Sequence, residues 1–222
     1  MVEKKQIKIS QTITYHNTTE DTLDLVYLND WNHSYATKTT PLAMRFAEEY
    51  STEFHFAKNE DRGFSVITSI EQDHQELEFD RVKEHIDVVK VQLASPLKPH
   101  GSYTIHLNYI VQVPSDKFTR YGVSNNGDFN LRYWYITPAV YNGEWQYFSN
   151  KNLDDMFVPV ADLSLELQIP NTYHVTSELD QVDMRQENDI FTVKLEGKNR
   201  VNSKLFLNQR KQFSQVKTDY FT

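Results

Sequence analysis

Cysteine is absent from this chain of 222 residues, and several other informative features are scarce. Without cysteine the fold has no disulfide framework, and thiolate nucleophiles and thiolate metal ligands are excluded. Six glycines in the whole chain make a phosphate-binding cradle of backbone amides hard to build. No stretch approaches the roughly 20 apolar residues that a membrane-spanning helix needs. We therefore expect no membrane-spanning segment.

Positive charge is in deficit as well. The chain has 23 Lys and Arg residues against 31 Asp and Glu residues, a formal net charge of −8. Nucleic-acid binding requires a basic face, and no run of basic residues is dense enough to make one. The N-terminus, MVEKKQIKIS, lacks the apolar core of a signal peptide. Lack of cysteine suits a reducing compartment and also a secreted bacterial domain, and we favour a periplasmic, surface-associated or secreted location over a cytoplasmic one.

What the sequence does contain is period-2 alternation of apolar and polar residues. The stretch SYTIHLNYIVQV alternates without interruption, and DLSLELQIP and DIFTVKLEG repeat the pattern. Alternation of this kind is typical of antiparallel sheets with one buried and one solvated face. We predict an all-β fold, a large antiparallel β-sandwich or saddle-shaped sheet, as a single domain over residues 1–222 with residues 1–5 as an N-terminal tail.

Turn signals separate the predicted strands, and one segment interrupts the β pattern. Hairpin turns are expected at residues 124–128, 141–145 and 186–189. In LNDWNHSYATKTTPLAMRFAEEY (residues 28–50), a polar, aromatic-rich turn exposes Trp31 and leads to a short helix. Thr40 suits its N-cap and Pro41 its first position, and a stripe of Leu42, Phe46 and Tyr50 makes it amphipathic.

No catalytic signature is intact. The sequence contains no His-Glu-x-x-His pair and no Gly-x-Ser-x-Gly elbow. The acidic stretch EQDHQELEFDRVKEH (residues 71–85) could supply metal ligands, but strand spacing spreads Glu76, Glu78 and Asp80 too far for one small cation, and a solvated face is favoured. Glu49, His55 and Asp61 could do acid–base chemistry only if the fold brought them together.

Aromatic residues concentrate in RYWYITPAVYNGEWQYF (residues 132–148). A platform for stacking sugar rings is one interpretation, carried by Tyr133, Trp134, Trp145 and Tyr147. Packing between sheets or at an interface is the interpretation we favour, because large aromatic side chains usually fill such spaces. A carbohydrate- or surface-binding module and an assembly domain with an exposed aromatic face both remain open.

Several stretches, taken in order, resemble the N-terminal β domain of the zinc aminopeptidase family that includes aminopeptidase N and leukotriene hydrolase, in its bacterial branch. The matching stretches run from Tyr15, Asn17 and Leu23 through TLDLVYLN, LKPHGSYTIHLNYIVQVP and LRYWYITPAVYNGEWQYF to FVPVADLSLELQIPNTYHVTSELD. His100 stands between the Pro and Gly of the family pattern, and Ile136 and Thr137 separate Tyr135 from Pro138. The resemblance spans residues 7–213.

The resemblance implies a non-catalytic accessory domain that packs on its own catalytic domain and shapes the cleft for a peptide substrate. Zinc would be bound only in that downstream domain, with residues 214–222 as the exit segment toward it. The family's domain lends a Gln or Glu to the peptide's amino group, and the matching segment GVSNNGDFNLR offers other residues. The candidate cleft or interface residues are Asn125, Asn126, Asp128, Asn130, Tyr133, Trp134 and Trp145. Trp31, Tyr35 and Phe46 would form an insertion that contacts a neighbouring domain.

Overall fold

The computed structural model describes residues 5–210. Its first seven strands are β1 (Gln6–His16), β2 (Leu23–Asn29), β3 (Phe64–Gln72), β4 (Gln75–Glu76), β5 (Phe79–Val82), β6 (His85–Leu97) and β7 (Ser102–Gln112). The next five are β8 (Gly122–Val123), β9 (Phe129–Leu131), β10 (Thr137–Pro138), β11 (Val140–Tyr141) and β12 (Trp145–Gln146). The last five are β13 (Ala161–Pro170), β14 (His174–Ser177), β15 (Asp180–Glu187), β16 (Ile190–Arg200) and β17 (Leu205–Asn208).

Helical structure in the described part lies between β2 and β3. It consists of a 3₁₀ helix (Trp31–Tyr35), one α-helix, α1 (Pro41–Glu48), and a second 3₁₀ helix (Asn59–Asp61). None of these helices has the length and apolar character needed to cross a membrane. The predicted all-β fold with one short inserted helix is confirmed. The predicted exit segment, residues 214–222, lies outside the described residues.

The strands form four sheets and one separate hairpin, and every ladder between them is antiparallel. The first sheet has the order β1-β7-β3-β4 and the second β10-β2-β6-β5. The third sheet is β13-β16-β15, the fourth is β14-β17-β9-β8, and β11 pairs only with β12. Hairpins occur where the turn signals predict them, including one at Gly127 and one at Asn188, both in the left-handed region.

Apolar and polar side chains alternate along the strands of the first and second sheets, and the apolar ones form the core between the two sheets. β1 and β7 pair without a bulge from Gln6–Gln112 to His16–Ser102, so their inward side chains stay in register. Leu107 of β7 and Leu28 of β2 are fully buried, and both sheets line a small apolar cavity between them. Burying one such side chain stabilises the fold by about 1.5–3 kcal/mol.

The third sheet is much less covered. Val193 and Leu195 of its central strand β16 are buried and belong to the same apolar cluster as Leu205 and Leu207 of the fourth sheet. In contrast, all residues of β15 are exposed. The third sheet therefore packs one face of β16 and of β13 on the core and leaves β15 in solvent.

The backbone that follows β7 lies very close to β8, the edge strand of the fourth sheet. Ser115 and Val123 form an isolated parallel bridge, and Gly122 lies beside it at a φ of +145°. A Cβ atom on Gly122 would lie 2.6 Å from the backbone nitrogen of Asp116 and 2.7 Å from the carbonyl oxygen of Pro114. Only glycine fits this position.

Helix α1 begins as predicted and ends earlier than its apolar stripe suggests. The Thr40 hydroxyl accepts a hydrogen bond from the Ala43 amide at 3.1 Å, and Pro41 occupies the first position. Leu42 and Phe46 are buried, but Tyr50 lies beyond the last turn at a φ of +59° and is 91% exposed. The predicted stripe is therefore wrong at Tyr50, because the helix ends at Glu48, two residues before it.

Candidate functional site

The 3₁₀ helix Trp31–Tyr35 is buried, so the expectation that Trp31 is exposed is wrong. Trp31 is 5% exposed, Tyr35 is inaccessible, and Phe46 of α1 is 6% exposed. The Trp31 ring lies 5.5 Å from that of Tyr121 and 5.6 Å from that of Tyr133, measured between centroids. The structure therefore places all three residues of the predicted domain-contact insertion in the chain's own core, where large rings fill the space that the strands leave.

Around this 3₁₀ helix lies a set of buried and half-buried polar side chains, which we call the polar hub: Asp30, Asn32, His33, Ser65, Arg81, Asp87 and Asn150. The Asp30 carboxylate accepts hydrogen bonds from the Ser65 hydroxyl and from the Arg81 guanidinium, both at 2.7 Å. Arg81 also donates to the carbonyl oxygens of Ile86 and Ser65. This ion pair joins the end of β2 to β3 and β5.

A second carboxylate of the hub, Asp87, has no cationic partner among the described residues. It accepts a hydrogen bond from the Asn150 amide at 2.6 Å and from the Ser149 hydroxyl at 2.9 Å. Burial raises the pKa of Asp87, and these hydrogen bonds oppose that rise. The backbone carbonyl of Asp87 accepts from the Asp30 amide at 2.8 Å, which fixes the two acidic residues side by side.

His33 completes the contact between the 3₁₀ helix and β3. Its Nδ1 atom lies 3.1 Å from both the amide nitrogen and the carbonyl oxygen of Ser65. Burial, followed by the positive charge of Arg81, lowers the pKa of His33 to about 4. The ring is therefore neutral at neutral pH.

The polar hub ties sheets together and does not form an open reaction centre. Its groups hydrogen-bond to one another or to backbone atoms, and Asn32 receives a 2.6 Å bond from the Tyr121 hydroxyl. Sequence analysis missed this cluster. The available signal was Asp87, a carboxylate that stands between the apolar residues Ile86 and Val88.

The predicted cleft residues Asn125 and Asn126 lie at the exposed tip of the β8–β9 hairpin. Asp128 follows in the same loop, and its carboxylate accepts a hydrogen bond from the Gln209 amide at 2.9 Å. The Tyr173 hydroxyl donates to the carbonyl oxygen of Gly127 at 2.9 Å. The loop is thus held against the residues that follow β17 and carries two outward-facing amide side chains.

The other predicted cleft residues lie elsewhere. Asn130 pairs within the fourth sheet with Gly122 and Phe206. Trp134 is buried, and its indole nitrogen donates to the carbonyl oxygen of Ser203 at 3.1 Å. The structure therefore does not bring the predicted set together into one pocket.

Tyr133 is buried at a φ of +51°, a backbone conformation that bulky residues rarely adopt. The Arg132 guanidinium lies 4.7 Å from the centroid of its ring.

Of the four aromatic residues considered for a sugar platform, two are therefore inside the core. Trp145 is half-buried among the rings of Tyr15, Tyr27 and Tyr141. Tyr147 packs on Tyr27 with 4.9 Å between centroids and is 38% exposed. Of the predicted platform, only this small surface of Trp145 and Tyr147 remains available.

The looser acidic sets do not converge either. Glu49 pairs with Arg45 at 2.7 Å, Asp61 pairs with Lys5 at 3.1 Å, and the His55 ring packs on Phe56. Across residues 5–210 no three His, Asp or Glu side chains are arranged to hold a metal ion, the 71–85 stretch included. Within the 71–85 stretch, Glu76, Glu78 and Asp80 are exposed, in agreement with the predicted solvated acidic face.

One row of reactive residue types does form, on the outer face of the first sheet. The Thr12 hydroxyl lies 2.9 Å from Nδ1 of His106, and Glu71 is the register partner of His106 on the other side. Thr12 and His106 are exposed on an open sheet face, with no backbone amides directed at a substrate position. We assign these contacts to cross-strand pairing.

Comparison with known proteins places the fold. No family model matches the chain, and no curated protein matches it in sequence. Among solved structures, a mutant of a two-domain M1 zinc metallopeptidase bound to L-arginine matches 91% of this chain with a TM-score of 0.53 and 13% identity. The M1 zinc metallopeptidase from Deinococcus radiodurans matches 90% of it with a TM-score of 0.50 and 12% identity.

The likeness concerns a part of those enzymes. This chain spans 38% of the length of each metallopeptidase that it matches. At such low identity the likeness shows a shared fold, since sequence identity is too low to carry residue roles. The resemblance expected from the sequence patterns is thereby supported at the level of the fold.

Proposed function

We propose that this chain is a non-catalytic N-terminal accessory domain of a zinc aminopeptidase-like metallopeptidase, related to the bacterial members. The observation that carries the proposal is the fold likeness, which extends over 91% of this chain but only 38% of the metallopeptidase. The ordered sequence patterns from Tyr15 to Asp180 support the same assignment. In this role the domain packs on a catalytic domain and shapes the cleft that receives a peptide.

The geometry of the β8–β9 hairpin supports a position for the cleft. Asp128 binds the backbone of Gln209, so the chain continues toward residue 211 from a point beside this hairpin. Asn125 and Asn126 are exposed at the same end. The last described residues therefore lie beside these amide side chains, which can accept and donate hydrogen bonds to a peptide.

Zinc enters the proposal only through the downstream domain. A catalytic zinc needs three protein ligands and an open position for water. The donor sets of the described residues do not fit such a site, since Glu49 and Asp61 are engaged in separate ion pairs. We therefore assign no chemical step to this chain.

An activity assay on the chain alone tests the proposal. The chain is incubated with amino-acid anilides and equimolar zinc, with and without a chelator. We expect no chelator-sensitive release of the aniline, because no residue set activates water. Turnover that the chelator abolishes would overturn the accessory role. The gene's reading frame beyond Thr222 gives an independent check, since a downstream His-Glu-x-x-His is expected.

A sugar-binding module remains a second candidate because of the partly exposed pair Trp145 and Tyr147. Glycan-array binding that is lost in Trp145→Ala would favour it. The matched control is Trp134→Phe, which changes an aromatic residue that no ligand can reach. Binding unaffected by Trp145→Ala would remove this candidate.

A further inference from the structure

Three strands longer than seven residues lie at sheet edges in the described part of the chain: β1, β13 and β15. An edge strand presents unpaired backbone amides and carbonyls, which another strand can use. Natural edge strands usually carry charges or bulges that prevent this. The three edges differ in how far they are protected.

Two of the three edges carry such protection. β15 has charged side chains at half of its positions, and a register shift interrupts its ladder between Gln181 and Asp183. β1 carries the exposed Lys8, and its Gln11 side chain is already bonded to the carbonyl oxygen of Ile136. These features make both strands poor templates for pairing.

β13 is the least protected edge. Its register shift lies at its start, between Ala161 and Leu163, and beyond that point Glu166 is its one charged residue. It has no basic residue, its only proline is its last residue, and Leu163, Leu165 and Leu167 alternate along the regular stretch. These leucines are half-buried against the core cluster, and the polar residues between them are exposed. Between residues 5 and 210, β16 is the only strand that pairs with β13.

The order of side chains on β13 also suits pairing with itself. In an antiparallel pair centred on Leu165, Leu163 faces Leu167 and Ser164 faces Glu166 of the partner subunit. Asp162 lies at the register shift of β13 and accepts a hydrogen bond from the Asn199 amide at 3.0 Å, and it then comes opposite Gln168 of the partner subunit. Acidic side chains therefore meet only neutral ones. Directly opposed like charges destabilise a sheet, and apolar pairs stabilise it.

The neighbouring registers lack this complementarity. Centring the pair on Ser164 places Asp162 opposite Glu166 of the partner subunit. Centring it on Glu166 places the two Glu166 carboxylates opposite each other. In registers shifted by an odd number of residues, the leucines of one copy would lie opposite polar residues of the other copy. One register is therefore favoured.

We propose that β13 pairs antiparallel with β13 of a second copy of this chain about Leu165, giving a continuous sheet with three strands from each copy. This surface is distinct from the β8–β9 hairpin and does not depend on the peptidase assignment. A contact made by one edge strand is smaller than a standard interface of about 1,600 Å², so association is weak and concentration-dependent.

Charge substitutions at the exposed Gln168 test the proposal by sedimentation equilibrium across protein concentration. Gln168→Lys faces Asp162 of the partner subunit and forms two symmetric ion pairs, whereas Gln168→Glu creates two repulsive pairs. Each pair is worth roughly 0.2–1 kcal/mol, so the dimer dissociation constant should fall or rise by about 2- to 30-fold. Within its own chain Gln168 faces the neutral Thr192, which limits effects on folding.

The matched controls lie on the other edge of the same sheet. Gln181→Lys and Gln181→Glu make the same charge changes on exposed β15 and should leave the dissociation constant unchanged. Hydrogen exchange gives the location, since amides of residues 161–170 should become protected as concentration rises. A chain that stays monomeric up to about 1 mM overturns the proposal, and so does concentration-dependent protection confined to β1 or β15.

Discussion

Two Asp–Arg ion pairs in this protein have nearly the same geometry and opposite surroundings. In the polar hub, Arg81 contacts Asp30 at 2.7 Å, and their side chains are 24% and 3% exposed. On β15, Arg185 contacts Asp183 at 3.0 Å, with exposures of 64% and 47%. When one partner of a buried pair is removed, the remaining charge is left without a partner and without water. When one partner of an exposed pair is removed, water solvates the remaining charge.

The difference in exposure between the two ion pairs also holds for the regions that contain them. The first and second sheets enclose a buried core in which the Asp30 carboxylate is hydrogen-bonded to Ser65 and Arg81. The third sheet leaves β15 and the polar face of β13 in solvent, and the outer backbone edge of β13 is open to partners. Stability should therefore depend on the first region and association on the second.

The sharpest test of this comparison is Asp30→Ala set against Asp183→Ala. Loss of Asp30 leaves the Arg81 guanidinium and the Ser65 hydroxyl without their acceptor, so the free energy of unfolding should fall by about 3–5 kcal/mol. The same change at Asp183 should cost less than about 1 kcal/mol. Urea denaturation of both variants measures the difference, and equal losses would break the distinction between the regions.

A smaller effect is expected from pH, through His33. Its pKa of about 4 in the folded protein lies below the ordinary value of 6.5, so the unfolded chain binds the proton first as pH falls. Stability is therefore lost as pH falls from about 6.5 to about 4, by up to about 3 kcal/mol at 1.36 kcal/mol per pKa unit.

Asp87 acts in the opposite direction. Because burial raises its pKa, the folded protein takes up that proton before the unfolded chain does. Denaturation of the parent chain and of His33→Gln between about pH 6.5 and pH 4 separates the two contributions. The variant should not show the fall in unfolding free energy that protonation of His33 causes. If the unfolding free energies of the two proteins change with pH in parallel, His33 is not the cause of the fall.

The smallest predicted effect concerns the cap of α1. Thr40→Ala removes the hydroxyl that accepts from the Ala43 amide and should cost about 1 kcal/mol of unfolding free energy. Thr39→Ala is the matched control on an exposed neighbour, with an expected change within about 0.5 kcal/mol. A cap effect no larger than that of the control would show that tertiary packing alone holds the helix.

Local signals in the sequence predicted much of the fold. Alternation from Tyr103 to Val111 marks β7, Thr40 and Pro41 mark the start of α1, and the Asn-Gly pair at 142–143 marks a hairpin. Each depends on residues within one strand, helix or turn, where steric and capping preferences act. Tyr50 was misplaced because the end of a helix also depends on how the following loop packs.

The candidate site was harder to predict. Asn125 and Asn126 were correctly recognised as part of a turn, since their preference for it is local. Asp30, Arg81 and Asp87 were missed as a cluster, because strand pairing brings them together from separate parts of the chain. Trp31 was misjudged for the same reason, since the polar residues around it suggested exposure.

The amino-acid sequence by itself determined that this protein is built of antiparallel strands with one capped helix, because side-chain alternation and caps act over a few residues. Only the tertiary structure decided which polar and aromatic residues are buried and which sheet edge remains open. Burial depends on neighbours supplied by distant strands, and no pattern within a single strand specifies those neighbours.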